Sequence, residues 1–203
     1  MFYKENNVFE EALERINFVF DNCDDVIVSM SGGKDSTVLF NLAMTVAKER
    51  NRLPLKVFWL DQEAEWKATS DYMEKIMSRP DVEPYWFQIP FDFTNSLSAQ
   101  KNFIKVWDDE ESDKWIRKKS DISIKENPLK YNRFHDLVEH LPSCCTKAKH
   151  CGVLVGMRVT ESLNRKMLIA HSNAKFKGIT WCRAPIENTR VFYPIYDFKD
   201  DDI

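Results

Sequence analysis

The sequence predicts an α/β fold: an open, mostly parallel β-sheet with helices on both faces. Two observations lead to this prediction. Short apolar runs alternate with segments in which apolar residues recur at helical spacing, as in chains built from strand–helix–strand units. A turn that contains two glycines joins the first apolar run directly to its helix. With 43% hydrophobic residues in 203, the chain can build a substantial core without disulfide bonds.

The first half of the chain gives three strand–helix alternations. Residues 7–21 have apolar side chains at helical period behind Asn7, a residue type that commonly caps helices. The predicted strands are residues 26–30, 55–60 and 84–89, and the predicted helices between them are 37–48 and 63–78. These lengths suit parallel strands joined by right-handed crossovers.

The second half contains an interruption. Residues 91–128 show no clean period, and we interpret them as a charged and aromatic insertion in a single domain that spans residues 1–203. Regular structure is predicted again for a helix at 131–141, a strand at 153–157, a helix from about Thr160 and a strand at 191–196.

The insertion carries a local cluster of aromatic and basic residues. Three interpretations remain open for it: a lid over a ligand, a surface that binds nucleic acid by base stacking and phosphate contacts, or a solvated loop with packed tryptophans. The cluster consists of Trp107, Trp115, Arg117, Lys118 and Lys119.

Charge and cysteine content restrict the classes of function. The 29 basic and 32 acidic residues give a net charge of -3, so no global field attracts nucleic acid. The start of the sequence has no signal-peptide core, and no run of 18 apolar residues occurs. We therefore expect a cytoplasmic protein with no membrane segment, whose five cysteines are mostly reduced.

Residues 31–36 (SGGKDS) lie between the first predicted strand and its helix. Two glycines allow a sharp turn and close approach of a ligand to the backbone, and the free amides at a helix start attract anions. The hydroxyls of Ser31, Ser36 and Thr37 can add donors. The spacing matches neither the Walker A pattern nor the dinucleotide pattern GxGxxG. The alternative is a glycine turn that only connects strand to helix.

SGGKDS resembles the signature of the PP-loop (N-type) ATP pyrophosphatases, also called adenine nucleotide alpha hydrolases. Three further stretches resemble the phosphoadenosine phosphosulfate (PAPS) reductase family within that superfamily: residues 60–65, 156–165 and 193–203. The DQEAEW, W-x7-W-I-R and LVGMRVTESLNR stretches are most similar to the immunoglobulin-binding-regulator A group of that family. Together these motifs span residues 26–203.

The resemblance implies a Rossmann-like, five-stranded sheet that binds ATP or a related nucleotide such as PAPS or adenylylsulfate. In this superfamily the loop holds the β- and γ-phosphates while a nucleophile attacks the α-phosphate. By analogy, Lys34, Asp35 and Arg158 are the catalytic candidates, and Asp35 is the Mg²⁺ ligand. The implied nucleotide-binding set is Ser29, Ser31, Gly32, Gly33, Lys34, Asp35, Ser36, Thr37, Leu60, Asp61, Gly156, Arg158, Glu161 and Arg165.

Arg158 and Glu161 lie three residues apart, as do Ser162 and Arg165, so a helix would present them as adjacent pairs. Arginine forks suit phosphate or sulfate oxygens, and ligands bind at the carboxyl ends of strands in open α/β sheets. With the resemblance, Arg158 and Arg165 become anion clamps and Glu161 orients one of them. The alternative is an exposed helix with ordinary side-chain pairs.

Four cysteines could in principle hold zinc or an iron–sulfur cluster: Cys144, Cys145, Cys151 and Cys182. The related adenylylsulfate reductases pair two adjacent cysteines with a later CxxC, which this sequence lacks. Buried thiols are therefore the favoured interpretation. The sequence also ends at Ile203, before the family's Glu-Cys-Gly-x-x-His tail, so reduction would need another thiol.

The leading hypothesis is a PAPS reductase-like enzyme that binds ATP and transfers an adenylyl group with release of pyrophosphate. One alternative is a sulfonucleotide reductase acting on PAPS or adenylylsulfate. The other is a non-catalytic, nucleotide-sensing subunit. A protein partner that completes the site is a further expectation. The sequence does not specify the acceptor.

Overall fold

The computed structural model describes residues 7–95, 102–170 and 175–203. Its strands are β1 Asp25–Ser29, β2 Leu55–Leu60, β3 Val82–Phe87, β4 Phe91–Thr94, β5 Phe103–Val106, β6 Cys151–Val155 and β7 Thr189–Phe192. Its α-helices are α1 Val8–Asn22, α2 Lys34–Glu49, α3 Lys67–Met77, α4 Phe134–Cys144 and α5 Leu163–Ala170.

Five of these strands form one sheet in the order β3-β2-β1-β6-β7. All four neighbouring pairs are parallel, with Ile27 of the central strand paired to Lys56 on one side and Val153 on the other. The chain leaves β1 toward β2 and returns to its other side at β6. Ligands bind at such a change of direction in open α/β sheets, at the carboxyl ends of the strands.

Two hydrophobic clusters cover the two faces of the sheet. Val26 and Val28 point into a cluster with α1, α2 and α3, whereas Ile27 between them points into a cluster with α4 and the β4–β5 hairpin. This alternation follows from the period of two in a strand. The predicted fold class, a parallel five-stranded sheet with helices on both faces, is confirmed.

The start of α1 is also as predicted. The Asn7 side chain accepts a hydrogen bond from the amide of Glu10, and the Glu10 carboxylate accepts one from the amide of Asn7, which forms a capping box. Arg15 on the same helix donates to both carboxylate oxygens of Asp197. This partly buried contact holds α1 against the last segment of the chain.

The insertion is more regular than the sequence indicates. β4 and β5 pair antiparallel, with Phe91 opposite Val106, and Asp109–Lys114 forms a short 3-10 helix. The prediction that residues 91–128 lack regular structure is therefore wrong in this part. Each strand has only four residues, which is too short to display a clear alternation.

Candidate nucleotide site

The loop between β1 and α2 has the backbone geometry of an anion site. Gly32 adopts a φ of 75°, and a Cβ at this position would lie 2.5 Å from Cγ2 of Thr69. Gly33 is the N-cap of α2, and no described side chain caps this helix. The amides of residues 34–36 have no intrahelical partner, because they precede the first helical hydrogen bond. They are therefore available to an anion.

The hydroxyl groups of the loop have a different role from the one predicted. Ser36 and Thr37 both donate to the carbonyl oxygen of Gly33, at 2.9 Å. Ser31 Oγ lies 3.3 Å from Ser36 Oγ. Because the hydroxyl hydrogens of Ser36 and Thr37 are both donated to Gly33, these two side chains stabilise the loop and are not free to donate to a ligand.

A cavity of about 170 Å³ opens beside the loop, at the carboxyl ends of β1, β2 and β6. Five of the predicted residues line it: Ser29, Ser31, Ser36, Leu60 and Gly156. Phe58 and Trp59 of β2 also line it. The predicted phosphate loop and Leu60 of the implied nucleotide-binding set therefore border the same space.

Gly156 follows β6, where the strand meets the first turn of α2. A Cβ at Gly156 would lie 2.9 Å from the carbonyl oxygen of Asp35 and 2.9 Å from the amide nitrogen of Ser36. Backbone atoms cannot move aside as a flexible side chain can. A glycine is required here so that the end of β6 can approach the loop.

Arg158 contacts acidic side chains from three segments. It is buried, with Nε 3.0 Å from Oδ2 of Asp35, Nη1 2.9 Å from Oδ1 of Asp200 and Nη2 3.5 Å from Oε1 of Glu161. Burial lowers the pKa of Arg158, but hydrogen bonds to Asp200 and Asp35 outweigh this effect and raise it. The guanidinium therefore positions carboxylates, instead of presenting the free anion fork that the sequence predicts.

Asp200 is a site residue that the sequence-based list omits. Its Oδ1 also lies 3.2 Å from Nζ of Lys34, so it connects the loop lysine to Arg158. Hydrogen bonds from Arg158 and Lys34 lower the pKa of Asp200. The signal was present in the closing motif of residues 193–203, which ends in a run of acidic residues.

The segment after Arg158 is not one continuous helix. Val159–Glu161 is a 3-10 turn, Ser162 is extended, and α5 begins at Leu163. The prediction that one helix carries both pairs is therefore wrong. Glu161 still brings the two arginines together, because it forms ion pairs with Arg158 and with Arg165.

Asp35 has one oxygen that fits a cation. Its Oδ2 faces Arg158, whereas its Oδ1 is buried with no hydrogen-bond partner among the described residues. In the described ranges, no group of three or more His, Cys, Asp or Glu side chains can hold a metal ion by itself. Mg²⁺ usually takes one or two carboxylates and completes its shell with substrate phosphates and water. Asp35 is compatible with that arrangement.

Asp61, a member of the implied nucleotide-binding set, has another role. Its fully buried carboxylate accepts hydrogen bonds from Arg117 at 2.5 and 2.9 Å, from Nε1 of Trp86 at 2.9 Å and from Gln88 at 3.0 Å. The amide of Glu63 donates to it as well. Asp61 therefore anchors the insertion to the end of β2, and we remove it from the predicted nucleotide contacts.

The aromatic rings of the insertion are used within the protein. Trp107 is fully buried, its Nε1 donates to the carbonyl oxygen of Asp61, and its ring packs edge-to-face on Trp115. Arg117 lies over Trp107, and Lys119 lies over Trp115. These contacts do not support a surface that stacks nucleic-acid bases.

The structure does not assemble the four candidate cysteine ligands. Cys145 and Cys151 are buried in the cluster with α4, Cys182 is buried in the other cluster, and Cys144 is exposed. Burial raises the pKa of the Cys145 and Cys151 thiols, which disfavours the thiolates that metals bind. The four cysteines that could have held zinc or an iron–sulfur cluster are therefore not brought together in one site.

A family model described as the phosphoadenosine phosphosulfate reductase domain matches residues 25–203. The chain belongs to this family. The uncharacterized protein YbdN of Escherichia coli (strain K12) is 29% identical over 208 residues, which cover 97% of this chain and 50% of that protein. The chain thus spans about half the length of this curated relative. The narrower resemblance to the immunoglobulin-binding-regulator A group stays a prediction.

Two solved structures are similar to the chain. Candida glabrata FMN adenylyltransferase has a TM-score of 0.51 at 12% identity, over 98% of this chain and 55% of that one. The PAPS reductase of Candida auris, in a phosphate complex, has a TM-score of 0.47 at 10% identity, over 99% and 84%. The first similarity supports the fold alone. Within the described parts of the chain, no helix has the length and apolar character that crossing a membrane requires.

Proposed function

We propose that this protein binds ATP or a related adenine nucleotide and cleaves the bond between the α- and β-phosphates, with adenylyl transfer and release of pyrophosphate. One observation carries the proposal: no described side chain caps the start of α2, and Ser36 of its first turn lines a cavity at the carboxyl ends of three strands. A larger cavity lies elsewhere in the molecule, but no glycine-containing turn of the described segments lines it.

The residues of the site have separable roles in this proposal. The amides of residues 34–36 bind the β- and γ-phosphates, and Lys34 neutralises part of their charge. The ends of β2 around Leu60 and of β1 at Ser29 hold the nucleoside. Together these contacts fix the α-phosphate in place for attack, and positioning of this kind dominates phosphoryl-type transfer.

Arg158, Glu161 and Asp200 hold Asp35 in position. When bound, Mg²⁺ would neutralise phosphate charge at this point, with Asp35 as its protein ligand. The contact from Nε of Arg158 fixes one Asp35 oxygen and leaves Oδ1 for the cation. Arg158 is therefore a positioning residue in this proposal.

Family membership supports a second candidate function, reduction of a sulfonucleotide by a thiol. Of the five cysteines, which all lie in described segments, Cys144 is the exposed one, so it is the thiol to test. Release of sulfite from PAPS or adenylylsulfate with a thiol donor, abolished by Cys144→Ser, would establish this function in place of adenylyl transfer.

The test of the leading proposal is product analysis with Mg²⁺ and α-labelled ATP. We expect AMP-containing product and pyrophosphate from the native chain, and loss of both in Asp35→Asn. Asp113→Asn removes a carboxylate from the exposed 3-10 helix of the insertion and serves as the matched control. ADP and inorganic phosphate as products, or no binding of ATP, would contradict the proposal.

A further inference from the structure

Glu65 lies on the wall between two cavities. It follows β2 and lines both the nucleotide cavity and a cavity of about 750 Å³ between α3 and residues 116–122 of the insertion. Among the described residues, no other one belongs to both linings. A nucleoside held at the end of β2 is therefore close to the Glu65 carboxylate.

The turn that carries Glu65 is fixed by hydrogen bonds. The amide of Glu65 donates to the carbonyl oxygen of Glu63 at 2.8 Å, and the amide of Ala64 donates to that of Gln62 at 2.6 Å. The amide of Glu63 donates to the buried carboxylate of Asp61 at 2.9 Å. The backbone of Glu65 therefore has a defined place at the end of β2.

Glu65 is also the charged residue of the nucleotide cavity. The other described residues of its lining have serine, glutamine, aliphatic, methionine, aromatic or glycine side chains, and none of them is Lys, Arg or His. Phosphates on the amides of residues 34–36 have the helix start as their partner. A further anionic group in the nucleoside part of this cavity would meet a carboxylate and no cation.

The basic residues that line the larger cavity do not line the nucleotide cavity. The guanidinium of Arg117 donates to both carboxylate oxygens of Asp61, and Lys67 and Lys119 each form an ion pair with an acidic side chain. Lys118 has no ion pair to a described residue, but it lines the larger cavity alone. The cations of this region are therefore used elsewhere or lie beyond the Glu65 wall.

The charge of Arg117 compensates Glu65 only in part. Burial, and then the charge of Asp61, raises the pKa of Glu65, and the opposing effect of Arg117 does not cancel this rise. A hydroxyl group that donates to this carboxylate would stabilise its ionised form, whereas a second anion beside it would be unfavourable.

We infer that the nucleotide cavity accepts adenine nucleotides with a free 3′-hydroxyl, such as ATP and adenylylsulfate, and discriminates against 3′-phosphorylated ones such as PAPS. Glu65 is the specificity-determining residue. Dinucleotide-binding folds use the same chemistry, because an acidic residue there selects a ribose hydroxyl and an arginine accepts a ribose phosphate. The inference rests on the proposed nucleotide site, and it holds whether the nucleotide is cleaved or only bound.

The test is calorimetric titration of the full chain with adenylylsulfate and with PAPS, in the presence of Mg²⁺ at neutral pH. The two nucleotides differ only in the 3′-phosphate. We expect adenylylsulfate to bind about tenfold or more tightly than PAPS, because the extra phosphate is repelled by the Glu65 carboxylate.

Two variants locate the source of this preference. Glu65→Gln keeps the size and the acceptor oxygen but removes the charge, so it should tighten PAPS binding and bring the two affinities to within about threefold. The control Glu74→Gln removes the same charge from α3, where the side chain lines the larger cavity alone, and should leave the preference unchanged. Glu65→Lys should reverse the preference.

The outcomes separate this inference from the proposed function. Equal affinity of the native chain for the two nucleotides, tighter binding of PAPS, or equal changes in Glu65→Gln and Glu74→Gln would each overturn the inference and leave the nucleotide site in place. Binding of neither nucleotide would remove the nucleotide site, and with it both proposals. A preference for adenylylsulfate without release of pyrophosphate from ATP would support the inference and contradict the proposed function alone. The unfolding midpoint of each variant shows that it is folded.

Discussion

Asp35 and Asp61 follow adjacent strands of the same sheet, and each faces an arginine from a distant segment, yet their surroundings differ. Both oxygens of Asp61 accept hydrogen bonds from protein donors, and the group is fully buried. Asp35 keeps one buried oxygen without a described partner, beside free backbone amides. The difference separates a carboxylate that stabilises the fold from one that is open to a ligand.

The largest expected effect is on stability. Asp61→Asn should lower the free energy of unfolding by about 2–4 kcal/mol, because Arg117, which is partly buried, then loses its counter-charge. Trp86 and Gln88 also lose a charged acceptor. Asp35→Asn should cost much less, since Arg158 keeps its contacts to Asp200 and Glu161. Urea unfolding of both variants measures this contrast. Equal losses would show that the two carboxylates do not differ in the way described.

The next effect concerns the contact between β6 and the loop. Gly156→Ala should cost about 1–3 kcal/mol, because its Cβ would meet backbone atoms of α2 that cannot yield. Gly33→Ala is the matched control: its Cβ would lie 3.5 Å from Ser31 Oγ, an ordinary contact, and the loss should stay below about 1 kcal/mol. Thermal unfolding distinguishes them, and a larger loss in the control would refute this assignment.

A bulkier change at Gly33 tests ligand binding without a change in the fold. Gly33→Val should reduce ATP affinity by about tenfold or more, because its side chain would occupy the space over the free amides that bind phosphate. Circular dichroism should show a folded chain. Unchanged ATP affinity in calorimetry would remove the loop from the nucleotide site.

The smallest expected effect is a change in the pKa of Asp200. Arg158 and then Lys34 lower the pKa of Asp200, so Lys34→Ala should raise it toward its usual value, which carbon-detected NMR measures. Because the folded pKa lies below the unfolded one, the ionised form stabilises the fold above the unfolded pKa, and this contribution is lost as the pH falls through the folded pKa. No change in Lys34→Ala would mean that the two groups do not interact in solution.

The sheet and the loop were predictable because their signals are local. The strand of residues 26–30, the loop of residues 31–36 and the helix after it are continuous in sequence, and each element shows its own period or turn chemistry. The ends of the elements shifted by a few residues, as at α3, which begins at Lys67 instead of Glu63.

The role of Asp61 could not be predicted, because it depends on contacts between distant residues. Its partner Arg117 lies 56 residues away in a segment without a clear period. The same reason explains why Asp200 was missed, since its contact with Lys34 spans 166 residues. Spacing in the sequence does not reveal which residue neutralises a carboxylate in the fold.

The central claim is that the loop of residues 31–36 is an adenine-nucleotide site, and a crystal structure with Mg²⁺ and α,β-methylene-ATP tests it most directly. We expect the β- and γ-phosphates on the amides of residues 34–36, with the adenine against the end of β2 near Leu60. If the analogue binds elsewhere, such as between α3 and the insertion, and no phosphate contacts the loop amides, the loop is not the nucleotide site.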